Sequence, residues 1–303
     1  MTPAPVLRTA LGRHPYLDGV HDGSLVSDAF TLEIAPIDVT LRNSMTRMVR
    51  NAEFDVCEMS PTSYLMARQA GAPLLALPVF TYRMFPLHQA VVRRDSAVET
   101  TDDLAGAHIG TRTWAQPTGL WLREILSSFR GQDLKGVTWT FVAEDPVAGV
   151  PRPVGSIDRI GETLAGLLAS GEIDVAFGEA AVPEGCRRLV DDPMTEAARW
   201  YDVAGVIPAN HVLVVRDDVA DRVDLAEIVR LFSRASRDYA ASGRDDDSTI
   251  EDLRRVTGLT DPMPQGWAAN EAMWGVLVDA MCRQGMLPGA PAAEDVIAAL
   301  EPA

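Results

Sequence analysis

Apolar and polar positions change period repeatedly along the chain. From residue 30 to residue 95, short apolar runs of strand length alternate with stretches of helical period: "FTLEIAPI", "MTRMVRN", "EFDVCEM", "SPTSYLMARQAG", "LLALPVF" and "HQAVVRRD". That alternation predicts an α/β fold. It resumes at "AHIGTR" and continues through "PTGLWLREILSSF", "VTWTFVAE", "IGETLAGLLASG" and "EIDVAFGE", closing with "HVLVVRDD" at 211–218. The remainder reads as helical. "VDLAEIVRLFSRASRDYAAS" has helical spacing, "STIEDL" offers a capping box with Ser248 and Glu251, "WAANEAMWGVLVDAMCRQG" ends at Gly285, and "AAEDVIAALE" finishes the sequence. "EDPVAGVPRPVGS", 144–156, reads as a loop.

Two segments share a plan. In "MVRNAEFDVCEM" and "LLASGEIDVAFGE" a helix ends at Asn51 or Gly171, residue types that tolerate a left-handed cap, and an apolar strand follows at once. The echo favours two α/β lobes, and 303 residues exceed the size at which a single core usually stops growing.

Charge narrows the partners. A net charge of −16 opposes binding to nucleic acid or an anionic membrane surface. An anionic ligand must then be held by a local arrangement of donors. Lys135 is the one lysine and sits in the turn-like "GQDLKGV", which argues against Schiff-base or pyridoxal phosphate chemistry. Cys57, Cys186 and Cys282 are widely spaced and suggest neither a disulfide framework nor a zinc site, so a reducing compartment is expected. With no signal-like or membrane-spanning apolar stretch, the expected location is the cytoplasm.

"DVCEMSPTSYL" runs an apolar strand into a cluster of hydrogen-bonding groups. Ser60 is placed to cap a helix and Pro61 to open it. The Ser60, Thr62 and Ser63 hydroxyls and the helix start then make an anion site at a strand's carboxyl end. "TWAQPTGLWLREIL" repeats the device, with Pro117 opening a helix beside Gln116 and Thr118. Either start, taken alone, is also an ordinary capped helix. Arg83, in "FTYRMFPLH", follows an apolar strand where its guanidinium would hold a carboxylate, or sit on a surface loop. His88 and His211 each open an apolar run. No HxH, HExxH, P-loop, nucleophile elbow or dinucleotide fingerprint is present, so no metal ligands are assigned.

Taken in order, "EFDVCEMSPTSYLMARQAG", "LPVFTYRMF", "TWAQPTGLWLREIL", "IGETLAGLLASGEIDV", "GVIPANHVLVVRDD" and "DPMPQGWAANEAM" resemble the 4,5-dihydroxyphthalate decarboxylase family. The resemblance implies a type II periplasmic-binding-protein-like fold, two α/β lobes with the ligand in a cleft between them. It implies lobes of 1–91 plus 212–303 and of 92–211. Glu58, Ser60 and Ser63 fall in the family's strand-to-helix motif, Arg83 and Phe85 in its R-x-F segment, Gln116 and Thr118 in its second helix start, and His211 in its P-x-x-H-V stretch. The chain departs from the pattern after R-x-F, where Pro86 and Leu87 precede the histidine, and in "GRHPYLDGVHDGS".

The implied activity is cofactor-independent decarboxylation of a hydroxylated aromatic carboxylate, by protonation of the ring carbon and loss of CO2. Arg83 and the two helix starts are the expected carboxylate binders. His211 is the expected general acid, since an ordinary imidazole titrates at about 6.5. Glu58 would deprotonate a ring hydroxyl or orient a histidine, and His88 is the alternative proton carrier. A cytoplasmic sensor of an aromatic acid, or a related lyase such as a dehydratase, would use the same fold. Met273 and Trp274 would line either a homodimer surface or the core.

Overall fold

The computed structural model describes residues 4–36 and 41–302. Ile37, the end of the expected strand "FTLEIAPI", lies outside them. The chain starts with β1 (Val6–Ala10), α1 (Asp18–Asp22), β2 (Thr31–Ile34), α2 (Leu41–Asn51), β3 (Val56–Met59), α3 (Pro61–Gln69), β4 (Leu74–Ala76) and β5 (Tyr82–Arg83). It continues with β6 (Ala90–Arg93), β7 (His108–Thr111), α4 (Pro117–Glu124), β8 (Thr138–Phe141), β9 (Ile157–Asp158), α5 (Leu164–Ser170), β10 (Val175–Phe177), β11 (Cys186–Arg188) and α6 (Pro193–Ala204). The long strand β12 (Ala209–Arg216) and the helices α7 (Leu225–Ser242), α8 (Ser248–Thr257), α9 (Glu271–Arg283) and α10 (Ala293–Val296) complete it.

These elements form two compact units. Unit 1 comprises 1–84, 209–278 and 289–303, and unit 2 comprises 85–208 and 279–288. The sheet of unit 1 runs β2-β1-β3-β12-β4, with β5 also paired to β12. Its first three strands are parallel, and β12 runs antiparallel to β3, β4 and β5. β3 is buried along its whole length, which explains its near-continuous apolar sequence. The sheet of unit 2 runs β11-β6-β10-β7-β8-β9, parallel from β10 to β9 and antiparallel on its β6 side.

Local details refine the sequence reading. α2 ends at Asn51, but the left-handed residue is Ala52, with φ 47°. At the echo site Gly171 takes the left-handed cap itself, with φ 78°. α8 is capped by Asp247 rather than Ser248, because the Asp247 carboxylate accepts from both the Thr249 and Ile250 amides. The expected C-terminal helix is only α10, since Ile297 leaves it to bridge Ala76 beside β4. Met273 and Trp274 are buried, Trp274 against Phe80, which assigns them to the core of unit 1 and not to a dimer surface. Among the described residues, no helix is long and apolar enough to cross a membrane.

Candidate functional site

Sheet register builds the site in unit 1. Glu58 on β3 lies opposite Leu213 on β12. In an antiparallel pair the residue two places along shares the same face and stays within reach of a long side chain, so His211 projects beside Glu58. Glu58 Oε1 accepts from His211 Nδ1 at 2.6 Å. On the other flank β1 runs parallel to β3, with Ala10 beside Cys57. The chain leaving β1 then brings Gly12 and His14 to the same carboxylate. Gly12 N–H donates to Glu58 Oε2 at 2.7 Å, and His14 Nε2 lies 2.9 Å from Oε1. His21 Nε2 holds the Gly12 carbonyl at 2.9 Å, fixing this turn.

Glu58 is fully buried, yet three donors surround it. Burial alone would raise its pKa; attraction and hydrogen bonds from His14 and His211 outweigh burial and hold it well below the usual carboxylate range. Burial would likewise depress His14, but the Glu58 charge and hydrogen bond, helped by Asp247, raise it. The Tyr82 ring packs against both imidazoles, its centroid 5.6 Å from that of His14 and 5.3 Å from that of His211. With Nδ1 committed to Glu58, His211 presents Nε2 as the ring nitrogen that can meet a ligand, and its side chain is 23% exposed.

The same three groups are a candidate cation set. His14 Nε2, Glu58 Oε1 and His211 Nδ1 all lie within 4.8 Å of one another. Two histidines and a carboxylate suit a divalent transition metal. The observed 2.6 and 2.9 Å contacts are hydrogen-bond spacings, and an ion with bonds of about 2.0–2.2 Å would require the side chains to spread.

The α3 start forms as its sequence requires. Ser60, in extended conformation, accepts from the Ser63 amide at 3.1 Å, and Pro61 is the first helical residue. Its hydroxyl also meets Thr62 Oγ1 at 2.7 Å and Ser63 Oγ at 3.1 Å. All three side chains are buried directly after the strand that carries Glu58. Of the two readings of Arg83, the surface loop does not hold, because the residue is buried. The residue is 1% exposed, and its guanidinium donates to Asn270 Oδ1 and to the Pro264 carbonyl and lies 4.9 Å from the Phe80 ring centre.

Unit 2 holds the remaining expected residues. Pro117 opens α4 after Gln116, whose side chain packs so close to Gly178 that a Cβ there would lie 2.8 Å from Nε2. Thr118 is buried in the first turn. His88 does not open β6; it sits in a 3-10 turn, Pro86–Gln89, with Nδ1 3.1 Å from the Phe85 carbonyl. The structure thus joins His211 and Glu58, with Ser60 and Ser63 on the same strand-to-helix connection, while His88 belongs to unit 2. Sequence reasoning passed over His14, Gly12 and Tyr82. The short "GRHP", in which Pro15 opens a 3-10 turn directly after His14, was the available signal.

Comparison with known proteins gives this geometry a context. No family model matches the chain. The 4,5-dihydroxyphthalate decarboxylase of Comamonas testosteroni is 32% identical over 193 residues, covering 58% of this chain and 58% of that enzyme. The protein of the same name from Pseudomonas putida is 32% identical over 177 residues, covering 51% of this chain and 66% of that one. The chain therefore spans about three-fifths of the length of the curated relatives it matches. The crystal structure of the periplasmic aliphatic sulphonate binding protein SsuA from Escherichia coli superposes with a TM-score of 0.56 at 13% identity, covering 99% of this chain and 94% of that one. The chain is thus a sequence relative of the 4,5-dihydroxyphthalate decarboxylases, folded as a periplasmic-binding-protein-like α/β protein.

Proposed function

We propose that this protein is a lyase that decarboxylates a hydroxylated aromatic carboxylate of the 4,5-dihydroxyphthalate kind, without a cofactor. The observation that carries the reading is the Glu58 carboxylate shared by His211 Nδ1 and His14 Nε2, in a chain related to enzymes of that name. In 4,5-dihydroxyphthalate each carboxylate-bearing carbon has a hydroxyl para to it. Electron donation from that hydroxyl oxygen raises the density at the carbon, which takes a proton from His211 Nε2; the imidazole is reprotonated from solvent between turnovers. The bond to the carboxylate then breaks, its electron pair restores the aromatic ring, and CO2 leaves.

Each residue has a part. His211 is the proton donor, a role typically worth about 10²–10⁴ in rate. Glu58 fixes the His211 tautomer and stabilises its imidazolium, as buried carboxylates do for catalytic histidines. His14 balances the Glu58 charge. Ser60 and Ser63 at the α3 start meet a substrate carboxylate, and Gln116 and Thr118 at the α4 start are candidate anion donors within unit 2. Arg83 braces the 264–270 segment through Pro264 and Asn270. Cys57, Cys186 and Cys282 are free thiols, which fits a reducing, cytoplasmic setting.

The test is incubation with 4,5-dihydroxyphthalate and a panel of hydroxylated benzoates, with and without chelator, following CO2. Release that survives chelation supports the reading. The fold also suits a receptor, as in the sulphonate-binding protein. Saturable binding with no CO2 from any substrate would replace the decarboxylase with that receptor.

A further inference from the structure

Unit 2 contains a cavity of about 550 Å³ whose lining residues all belong to that unit. Its volume falls in the range of small-molecule sites, about 300–1,000 Å³. Two indoles form part of its wall. Trp114 and Trp139 pack edge to face, with centroids 5.3 Å apart. The Arg123 guanidinium lies 3.8 Å from the Trp114 ring centre and 5.5 Å from that of Trp139. Lys135, an exposed residue and the one lysine in the sequence, also lines the cavity.

Arg123 is an unusual cation. It is 2% exposed, and its hydrogen bonds go to neutral acceptors, from Nε to Gln284 Oε1 at 2.7 Å and from Nη2 to the Trp114 carbonyl at 2.9 Å. Its Nη1 and the indole Nε1 of Trp114 are buried donors with no hydrogen-bond partner among the described residues. Burial draws its pKa down to about 9, with the Asp145 charge opposing. The Asp145 carboxylate is itself taken up by the Ala115 amide and by Arg152. No carboxylate is among the cavity's lining residues, although the chain carries 43 acidic groups. A desolvated cation without an anionic partner is costly, and an anion entering the cavity would offset that cost.

Bracing of the Trp114 loop accounts for the two bonds Arg123 makes. It accounts for neither the cavity nor the donors left unanswered. We infer that the cavity is a second ligand site, taking a planar aromatic carboxylate whose ring packs against the indole wall and whose charge meets Arg123 and Lys135. Tryptophan faces and an arginine suit an aromatic anion better than an aliphatic one.

Equilibrium dialysis of the full chain with 4-hydroxybenzoate tests this, with cyclohexanecarboxylate and phenol as the non-aromatic and uncharged comparisons. Two substitutions change exposed lining positions, Lys135→Glu to reverse the charge and Val154→Trp to fill the space. Both should weaken one class of binding at least about fivefold, while His211→Gln leaves that class intact. The two comparison compounds should bind it more weakly. The inference is overturned if both cavity variants bind as wild type, if His211→Gln alone abolishes all binding, or if cyclohexanecarboxylate binds equally well. Because the site is separate in sequence and unit from Glu58, its failure would leave the decarboxylase reading untouched.

Discussion

His211 Nδ1 donates to Glu58 Oε1 at 2.6 Å across 153 residues of sequence. The contact exists because β12 pairs antiparallel with β3 in a register that sets Leu213 opposite Glu58. A one-residue slip would send His211 to the opposite face of the sheet. The pair is therefore a direct consequence of strand order and register.

Replacing His211 with Gln should lower kcat on a decarboxylated substrate by about 10²–10⁴, with KM changed little. Its partial exposure means that the fold should persist. Steady-state kinetics beside a thermal melt checks this, and near-normal turnover would remove His211 as the proton donor.

The Glu58 cluster predicts a pH signature in stability. Glu58 is depressed below the ordinary carboxylate value of 4.5, so its contribution is present above 4.5 and fades as pH falls. His14 is raised above 6.5, so its contribution is complete below 6.5 and fades as pH rises through its folded value. The difference in melting temperature between wild type and Glu58→Gln should therefore peak between pH 4.5 and 6.5 and shrink on both sides. A difference that stays constant from well below pH 4.5 to well above pH 6.5 would contradict the ion-pair description.

Gly12→Ala tests the crowding around the carboxylate. A Cβ at Gly12 would lie 2.8 Å from His14 Nε2 and 3.0 Å from Glu58 Oε2, so one of these groups must shift. Overpacking of this kind typically costs about 1–3 kcal/mol. Chemical denaturation should show that loss, and activity should fall with it.

Ser60→Ala removes the α3 cap. The Ser63 amide loses its acceptor, with an expected loss of about 1 kcal/mol. If the α3 start also meets the substrate carboxylate, KM should rise by a larger factor than kcat falls. A stability loss with unchanged kinetics would confine Ser60 to capping.

Arg83→Met separates bracing from ligand binding. Removing a buried guanidinium that holds Asn270 and Pro264 should lower stability markedly, and any kinetic change should follow the loss of fold. A normal melting temperature with a raised KM would instead return Arg83 to carboxylate binding.

The sequence by itself determined the local pieces. The alternation of periods gave the α/β class, and Ser60–Pro61 and Gln116–Pro117 marked two helix starts, because caps and first-turn prolines act over three or four residues. It also singled out Glu58 and His211 as candidates. What joined them was tertiary: β12 had to return antiparallel beside β3, and β1 parallel on its other side, before one carboxylate could meet donors from residues 12, 14 and 211. For His14 the sequence offered only the short "GRHP", which says nothing of Glu58, so the contact itself came from that arrangement. For Arg83 the position after a strand left a carboxylate site and a surface loop open, and the contacts with Pro264 and Asn270 remove the surface loop. Hydrophobic periodicity reports which face is buried; which distant chain segment buries it is decided by strand pairing, and no local pattern encodes that.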